Sequence, residues 1–404
     1  MATPLDRRTQ SDDDVVAVSI DEFFTGRFPA LSAANGHLVS EAMQVLGAPP
    51  LTVEVEGAAW TITTDAGRVT AVRGEVGGAL VVTFSPEEFS DWCQNQRSLN
   101  SFTTARTLRA RGGSRRDVSI WDSLLMTLLY GWPTVGQVEF VDRHGAPLDL
   151  TRWFGPDDHP ADIAHFLREA GFLHLRGWVD PAVMADISTD MSRMLPTYTE
   201  GDGKSWWAQV ASGERVCVRM QEFVDHSPAT AAMLCSERWQ QLRRTIAADD
   251  PLVQAPVEGR CIEALVKPVG VVSGPSDLNF HRDCHLGRHA YSCSGTTVGV
   301  SVTGSSAANG LLRVVPGSHR IAMPVEVAIH EPFMQAVPLA TEPGDLTVHL
   351  SCTLHEATAP LVHERRVMYT GFQLQPVTGR RAKAHADLAE LREQVTNLLR
   401  DQAV

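Results

Sequence analysis

Lysine is almost missing from this chain: of the 35 Lys and Arg residues, only Lys204, Lys267 and Lys383 are lysines. A formal net charge of -13 leaves no general surface for nucleic acid, because phosphate binding needs clustered Lys and Arg. The basic run from Arg106 to Arg116 is too short to reverse that and is expected to be a solvated loop. No stretch approaches the roughly 20 apolar residues that cross a bilayer. The N-terminus, rich in Asp and Arg, lacks the apolar run of a signal peptide. The 7 cysteines are dispersed, odd in number and without paired spacing, which fits a reducing cytoplasm better than a disulfide framework. A soluble, cytoplasmic protein acting on small molecules is the class left over.

What the chain does contain is a set of chemistry-bearing segments in its second half. Asn279-Phe280-His281-Arg282-Asp283 comes first, then Asn309-Gly310 and Pro316-Gly317-Ser318-His319, then Gly344-Asp345, and last His355 with Arg365-Arg366. His281 and Asp283 are two apart, and in a strand that spacing sends both side chains to one face, where one metal ion can meet both. Two imidazoles and one carboxylate are the ligand set of a non-haem Fe(II) oxygenase, with coordination positions left open. Three histidines compete for the third position: His349, His355 and His363. Asn309-Gly310 is a hairpin signal. Pro316-Gly317-Ser318-His319 is expected to be structural, a turn whose Ser and His bond to backbone. His285 and His289 are expected near the pocket mouth, and Cys284 and Cys293 as neutral thiols beside it rather than ligands.

In this order the segments resemble the phytanoyl-CoA dioxygenase family, over roughly residues 155–380. The resemblance implies a double-stranded β-helix (jelly roll) with flanking helices, Fe(II), 2-oxoglutarate and O2. It also implies oxidation of a small, hydrophobic or secondary-metabolite substrate through an Fe(IV)-oxo species, most often as hydroxylation. The family places a carboxylate-binding Arg about eleven residues past its distal His. That selects His355 as third ligand with His281 and Asp283, and Arg366 as the anchor of 2-oxoglutarate, with Arg365 facing the other way. Lys267 is expected to reach the same carboxylate, and Thr297 and Ser301 have the parity to line the barrel. Halogenating relatives replace the carboxylate ligand, so Asp283 argues against that outcome.

Ahead of this part the pattern is α+β. Asp21 to Leu46 reads as helix, and Leu51–Glu56, Ala59–Thr64, Arg68–Gly74 and Ala79–Phe84 read as strands. Ser85-Pro86-Glu87-Glu88 is a helix start with cap, N1 proline and acidic third residue. Asp117 to Leu129 is a further helix. Residues 15–145 resemble a sterol-carrier-protein type domain, which implies a lipid-binding accessory unit. Residues 155–160 read as linker, followed by a helix over 161–170 stopped by Gly171, a strand over 172–176, and a helix opened by Asp180-Pro181. Trp206 and Trp207 are expected to be packed or to touch substrate, and residues 384–402 to form a helix. Since every proposed ligand lies beyond residue 260, the C-terminal part is expected to bind metal by itself. The alternative is a hydrophobic carrier whose jelly roll is an inactive scaffold.

Overall fold

Local sequence sets the elements of the N-terminal unit. A computed structural model describes residues 16–104, 107–134, 138–247, 252–254, 261–286, 295–328, 330 and 334–374. Ser19 and Glu22 form a capping box that opens α1 (Ile20–Glu22), which continues through a π turn (Phe23–Arg27) into α2 (Phe28–Leu46). Strands β1 (Leu51–Val55), β2 (Ala58–Asp65), β3 (Arg68–Arg73), β4 (Leu80–Phe84) and β5 (Arg109–Arg111) form a sheet in the order β3-β2-β1-β4-β5, with β1 and β4 parallel. The Ser85–Glu88 capping box opens α3 (Pro86–Cys93), and α4 (Leu99–Thr104) and α5 (Arg115–Tyr130) complete the unit. Its core is aromatic: Phe23, Phe89, Trp92 and Phe102 are all at most 1 % exposed, and their rings fill the space between sheet and helices.

Within the basic run from Arg106 to Arg116, the described residues depart from the expected loop. Arg109 and Arg111 lie in β5 beside β4, where Arg111 pairs with Glu54 and Glu75, and Arg109 with Glu88. Carboxylates distant in sequence thus fix a strand that local pattern does not announce.

The remaining strands form two facing sheets. One has nine strands and contains β6 (Phe172–Leu175), β7 (Ser205–Val210), β8 (Arg215–Met220), β9 (Leu252–Gln254), β10 (Ile262–Lys267) and β11 (Val271–Ser273), together with β13 (Gly295–Ser301), β16 (Leu346–Leu350) and β18 (Arg365–Leu374). Its path runs β11-β7-β8-β10-β18-β13-β16-β6, with β9 beside β18. The other has four strands, β12 (Leu278–His281), β17 (His355–Ala357), β14 (Leu312–Val314) and β15 (Val337–Leu339), in that order. Alternation divides the large sheet: Met368 and Phe372 of β18 and Val298 and Val300 of β13 face a core shared with α6 (Pro160–Ala170), α7 (Pro181–Met194), α8 (Pro228–Cys235) and α9 (Glu237–Ala247). The opposite face looks into the space between the sheets. This is the α+β class expected, with a jelly roll preceded by a smaller α+β unit.

Two glycines are fixed by geometry. Gly171 ends α6 at φ +84, and a Cβ there would come within 2.4 Å of His319 Nδ1 and 2.5 Å of Thr353 Oγ1. Gly299 lies under the Tyr369 ring, where a Cβ would meet Thr347 Oγ1 at 2.6 Å. Among the described residues no helix is long and apolar enough to cross a membrane. Cys93, Cys217 and Cys235 are free thiols, but Cys352 is disulfide-bonded, which the expected reducing setting does not foresee.

Candidate metal centre and anion pocket

The strands β12 and β17 lie side by side with His281 opposite His355. A turn after β12 brings Asp283 to the same point. Ligand atoms of His281, Asp283 and His355 all lie within 4.8 Å of one another. His281 Nε2 stands 3.4 Å from Asp283 Oδ1, and His355 Nε2 stands 3.5 Å from the same oxygen. Each imidazole is held by its other nitrogen: His281 Nδ1 is 2.7 Å from Asn279 O, and His355 Nδ1 is 2.9 Å from Thr353 O. Carbonyls accept, so each Nδ1 carries a proton and Nε2 is the atom turned inward. Burial, reinforced by His349 alongside, holds His355 well below the usual histidine range, so its ring is neutral, as a ligand must be. Burial alone would raise the Asp283 carboxyl, but the imidazoles of His355, His281 and His349 hold it well below the ordinary range.

His349 and Thr297 complete the setting. Thr297 Oγ1 donates to Asp283 Oδ2 at 2.9 Å, and His349 Nε2 lies 3.3 Å from that same oxygen. Both therefore address the carboxylate oxygen that the other two imidazoles leave free. Thr297 lines the inner face as its parity predicts, but its partner is Asp283. His363 is exposed in a bend and takes no part.

The register of β18 turns Arg365 and Arg366 the opposite way from that expected. Arg366 faces the helices: its Nη1 donates to Ser188 O at 2.7 Å and to Ser192 Oγ at 2.6 Å on α7, and its Nε to Glu364. Arg365 faces inward, 3 % exposed, opposite Lys267 on β10. Its Nη1 donates to Gly310 O at 2.8 Å, while Nε and Nη2 have no hydrogen-bond partner among the described residues. A buried guanidinium with two idle donors could hold an anion, since unpaired buried donors are costly. Lys267, also 3 % exposed, donates to Ser276 O. Burial first, then repulsion from Arg365, pulls its ammonium down to about 7.

The two tryptophans divide. Trp206 on the inner face lies under the Arg219 guanidinium, 4.2 Å from its ring centre, while Trp207 packs on the helix-side core. The Pro316–His319 turn is structural: Ser318 Oγ accepts from Leu354 N, beside His355, and His319 Nε2 meets Arg168 O. His289, Cys293 and the helix expected over 384–402 lie outside the described residues, and of the His285 side chain nothing is described.

Sequence reasoning missed Asp122 and Arg282. Asp122 on α5 is buried and accepts from Leu99 N and Asn100 N, and burial pushes its carboxyl up to about 7 against the pull of those amides and of Arg282. The only local signal was a charged residue inside an apolar helical run.

The chain matches the family described as phytanoyl-CoA dioxygenase (PhyH) over residues 167–367. That match lends no support to the likeness of residues 15–145 to a sterol-carrier-protein type domain. No curated protein matches the chain. Among solved structures it is similar to AviO1 from Streptomyces viridochromogenes, at 21% identity over 53% of this chain and 95% of that one, with a TM-score of 0.43. It is also similar to the non-heme alpha-ketoglutarate-dependent epimerase SnoN from nogalamycin biosynthesis, at 20% identity over 57% and 86% and a TM-score of 0.43. The third is EctD from S. alaskensis, solved with 2-oxoglutarate and 5-hydroxyectoine, at 18% identity over 62% and 88% and a TM-score of 0.44.

Proposed function

We propose, from the match of residues 167–367 to the phytanoyl-CoA dioxygenase family, that this protein is an Fe(II)- and 2-oxoglutarate-dependent dioxygenase that oxidises a small molecule. The observation that carries this reading is the union, inside one barrel, of a His281–Asp283–His355 triad with a buried Arg365 whose Nε and Nη2 are idle. His281 and His355 would each offer Nε2 to the iron and Asp283 one oxygen, its other oxygen being held by Thr297. Arg365 would take the far carboxylate of 2-oxoglutarate through its idle donors, and Lys267 would add charge from the next strand. The bound iron and co-substrate supply the activation of O2 and the oxidation of a C–H bond. The protein's own work is to fix these groups, to place the substrate and to keep water from the buried pocket.

The substrate is read as a small hydrophobic molecule or secondary metabolite, admitted along the inner face where the rings of Trp206 and Tyr369 offer apolar contact. Residues 15–145 are read as an accessory unit with its own core, and 155–380 as the oxygenase unit. The carrier alternative is not favoured, since a scaffold without activity has no need of a complete triad beside an idle guanidinium. The test is 2-oxoglutarate consumption by the full chain with Fe(II) in air, read as succinate released. Succinate that disappears on chelation supports the reading, and its absence with iron bound contradicts it.

A further inference from the structure

Arg282 lies between two triad residues in sequence, yet its side chain turns away from them into the protein. It is 7 % exposed, and it donates to three carbonyls: Nε to Cys352 O at 3.1 Å, Nη1 to Met323 O at 3.2 Å and Nη2 to Ser318 O at 3.2 Å. Cys352 belongs to the short loop that leads into His355, and the Ser318 hydroxyl accepts from Leu354 N within that loop. One guanidinium therefore ties the turn carrying His281 and Asp283 to the loop that delivers His355.

Carbonyls bring no net negative charge, and a buried cation is steadied by a nearby carboxylate. The N-terminal unit brings one to the same cavity. Asp122, 8 % exposed on α5, holds the first amides of α4 and acts electrostatically on Arg282. Both side chains line one small cavity of about 50 Å³ with Ser98, Asn100, Ser318 and Cys352. Helix α4 itself packs on the turn 283–286.

We propose that the N-terminal unit is part of the scaffold of the metal centre: Asp122, acting through Arg282, holds the His281–Asp283 turn in register with His355. The proposal rests on the reading of the triad as a metal site. Asp122 and Arg282 are positioning residues; neither touches the metal. It replaces the expectation that the C-terminal part binds metal unaided merely because all ligands lie beyond residue 260.

The test uses the full chain at about pH 8, above the range to which burial moves Asp122, with Co(II) as a coloured stand-in for Fe(II) at the same ligands. Asp122→Asn is expected to weaken Co(II) binding about tenfold or more and to alter the visible spectrum, as loss of an outer partner does. Leu124→Ala, in the same helix and core but away from Arg282, is expected to lower the melting temperature and leave the Co(II) affinity within about twofold, because its cost is a cavity. In an Arg282→Gln background, Asp122→Asn is expected to add nothing, the signature of two residues acting as a unit. Should Asp122→Asn not fold, Arg282→Lys serves instead: it keeps the charge but cannot span three carbonyls, and it is expected to lose affinity to the same degree. Wild-type affinity in Asp122→Asn or Arg282→Lys overturns the proposal, as does an equal loss in Leu124→Ala or independent effects in the double variant. A wild-type chain that binds neither Co(II) nor Fe(II) overturns the reading of the triad itself.

Discussion

Lys267 and Arg365 occupy the same rung of the ladder between β10 and β18, two buried cations on one face of the large sheet. Adjacent like charges repel, and the repulsion is visible in Lys267, whose ammonium burial and Arg365 together draw down to about 7. A carboxylate placed between them relieves both.

Arg365→Ala is therefore expected to raise the KM for 2-oxoglutarate about tenfold to a hundredfold, the equivalent of losing about 1.5–3 kcal/mol of hydrogen bonding to a charged group. Metal affinity should not change. Arg366→Ala, which loses its bonds to α7, should leave that KM within about twofold and show its effect in thermal stability instead. Steady-state kinetics on both variants decide the matter; the reverse pattern restores Arg366 as the anchor.

His355→Ala and His281→Ala should abolish tight metal binding, since two protein ligands hold an open site poorly. Removing a partner of Asp283 should be milder. His349→Ala and Thr297→Val are each expected to weaken metal binding about ten- to a hundredfold without abolishing it, the range for outer-shell partners. Calorimetric titration with Fe(II) under anaerobic conditions separates the two classes, and complete loss in His349→Ala would make it a ligand.

Lys267 gives the free protein a pH signature. Its folded pKa, about 7, lies below the ordinary lysine value of 10.5, so between those limits the unfolded chain binds more protons than the folded one. Stability relative to Lys267→Met should therefore rise as pH climbs from about 7 towards 10.5, and should be lost as pH falls through about 7. Saturating 2-oxoglutarate should flatten the difference by supplying a counter-charge. Denaturant titrations across that window measure it, and a difference that falls with rising pH contradicts the burial of the ammonium.

Gly171→Ala should be destabilising by about 1–3 kcal/mol, because a side chain at positive φ is strained and its Cβ would enter the space of His319 and Thr353. The melting temperature reads this directly. A variant as stable as wild type would mean that the contact of α6 with the 317–319 turn is loose.

Legibility followed the range of the interaction. His281 and Asp283 could be picked out as a pair two residues apart, although β12 ends at His281 and the 283–286 turn, not strand alternation, brings Asp283 to the site; Ser85–Glu88 could be read because a capping box is complete within four residues. The strands from Leu51 to Phe84 carried their own turns. Arg365 and Arg366 could be read only as an opposed pair; which of them faces inward is decided by the rung shared with Lys267, almost a hundred residues away, whereas counting from His355 had turned Arg366 inward. β5 read as a loop because its arginines are exposed, while the glutamates that hold it lie on β1, α3 and the turn at Glu75. Asp122 and Arg282 line one cavity from the two units, a juxtaposition for which neither neighbourhood gives a sign.

The central claim, that His281, Asp283 and His355 hold an iron at which 2-oxoglutarate is oxidised by O2, is tested most directly by isotope transfer. Oxidative decarboxylation places one atom of O2 in the new carboxylate of succinate and releases CO2. Full-length protein with Fe(II), 2-oxoglutarate and labelled O2 is expected to yield succinate carrying one labelled oxygen, and His355→Ala to yield none. Unlabelled succinate from the wild type, or labelled succinate from His355→Ala at the wild-type rate, would contradict the assignment.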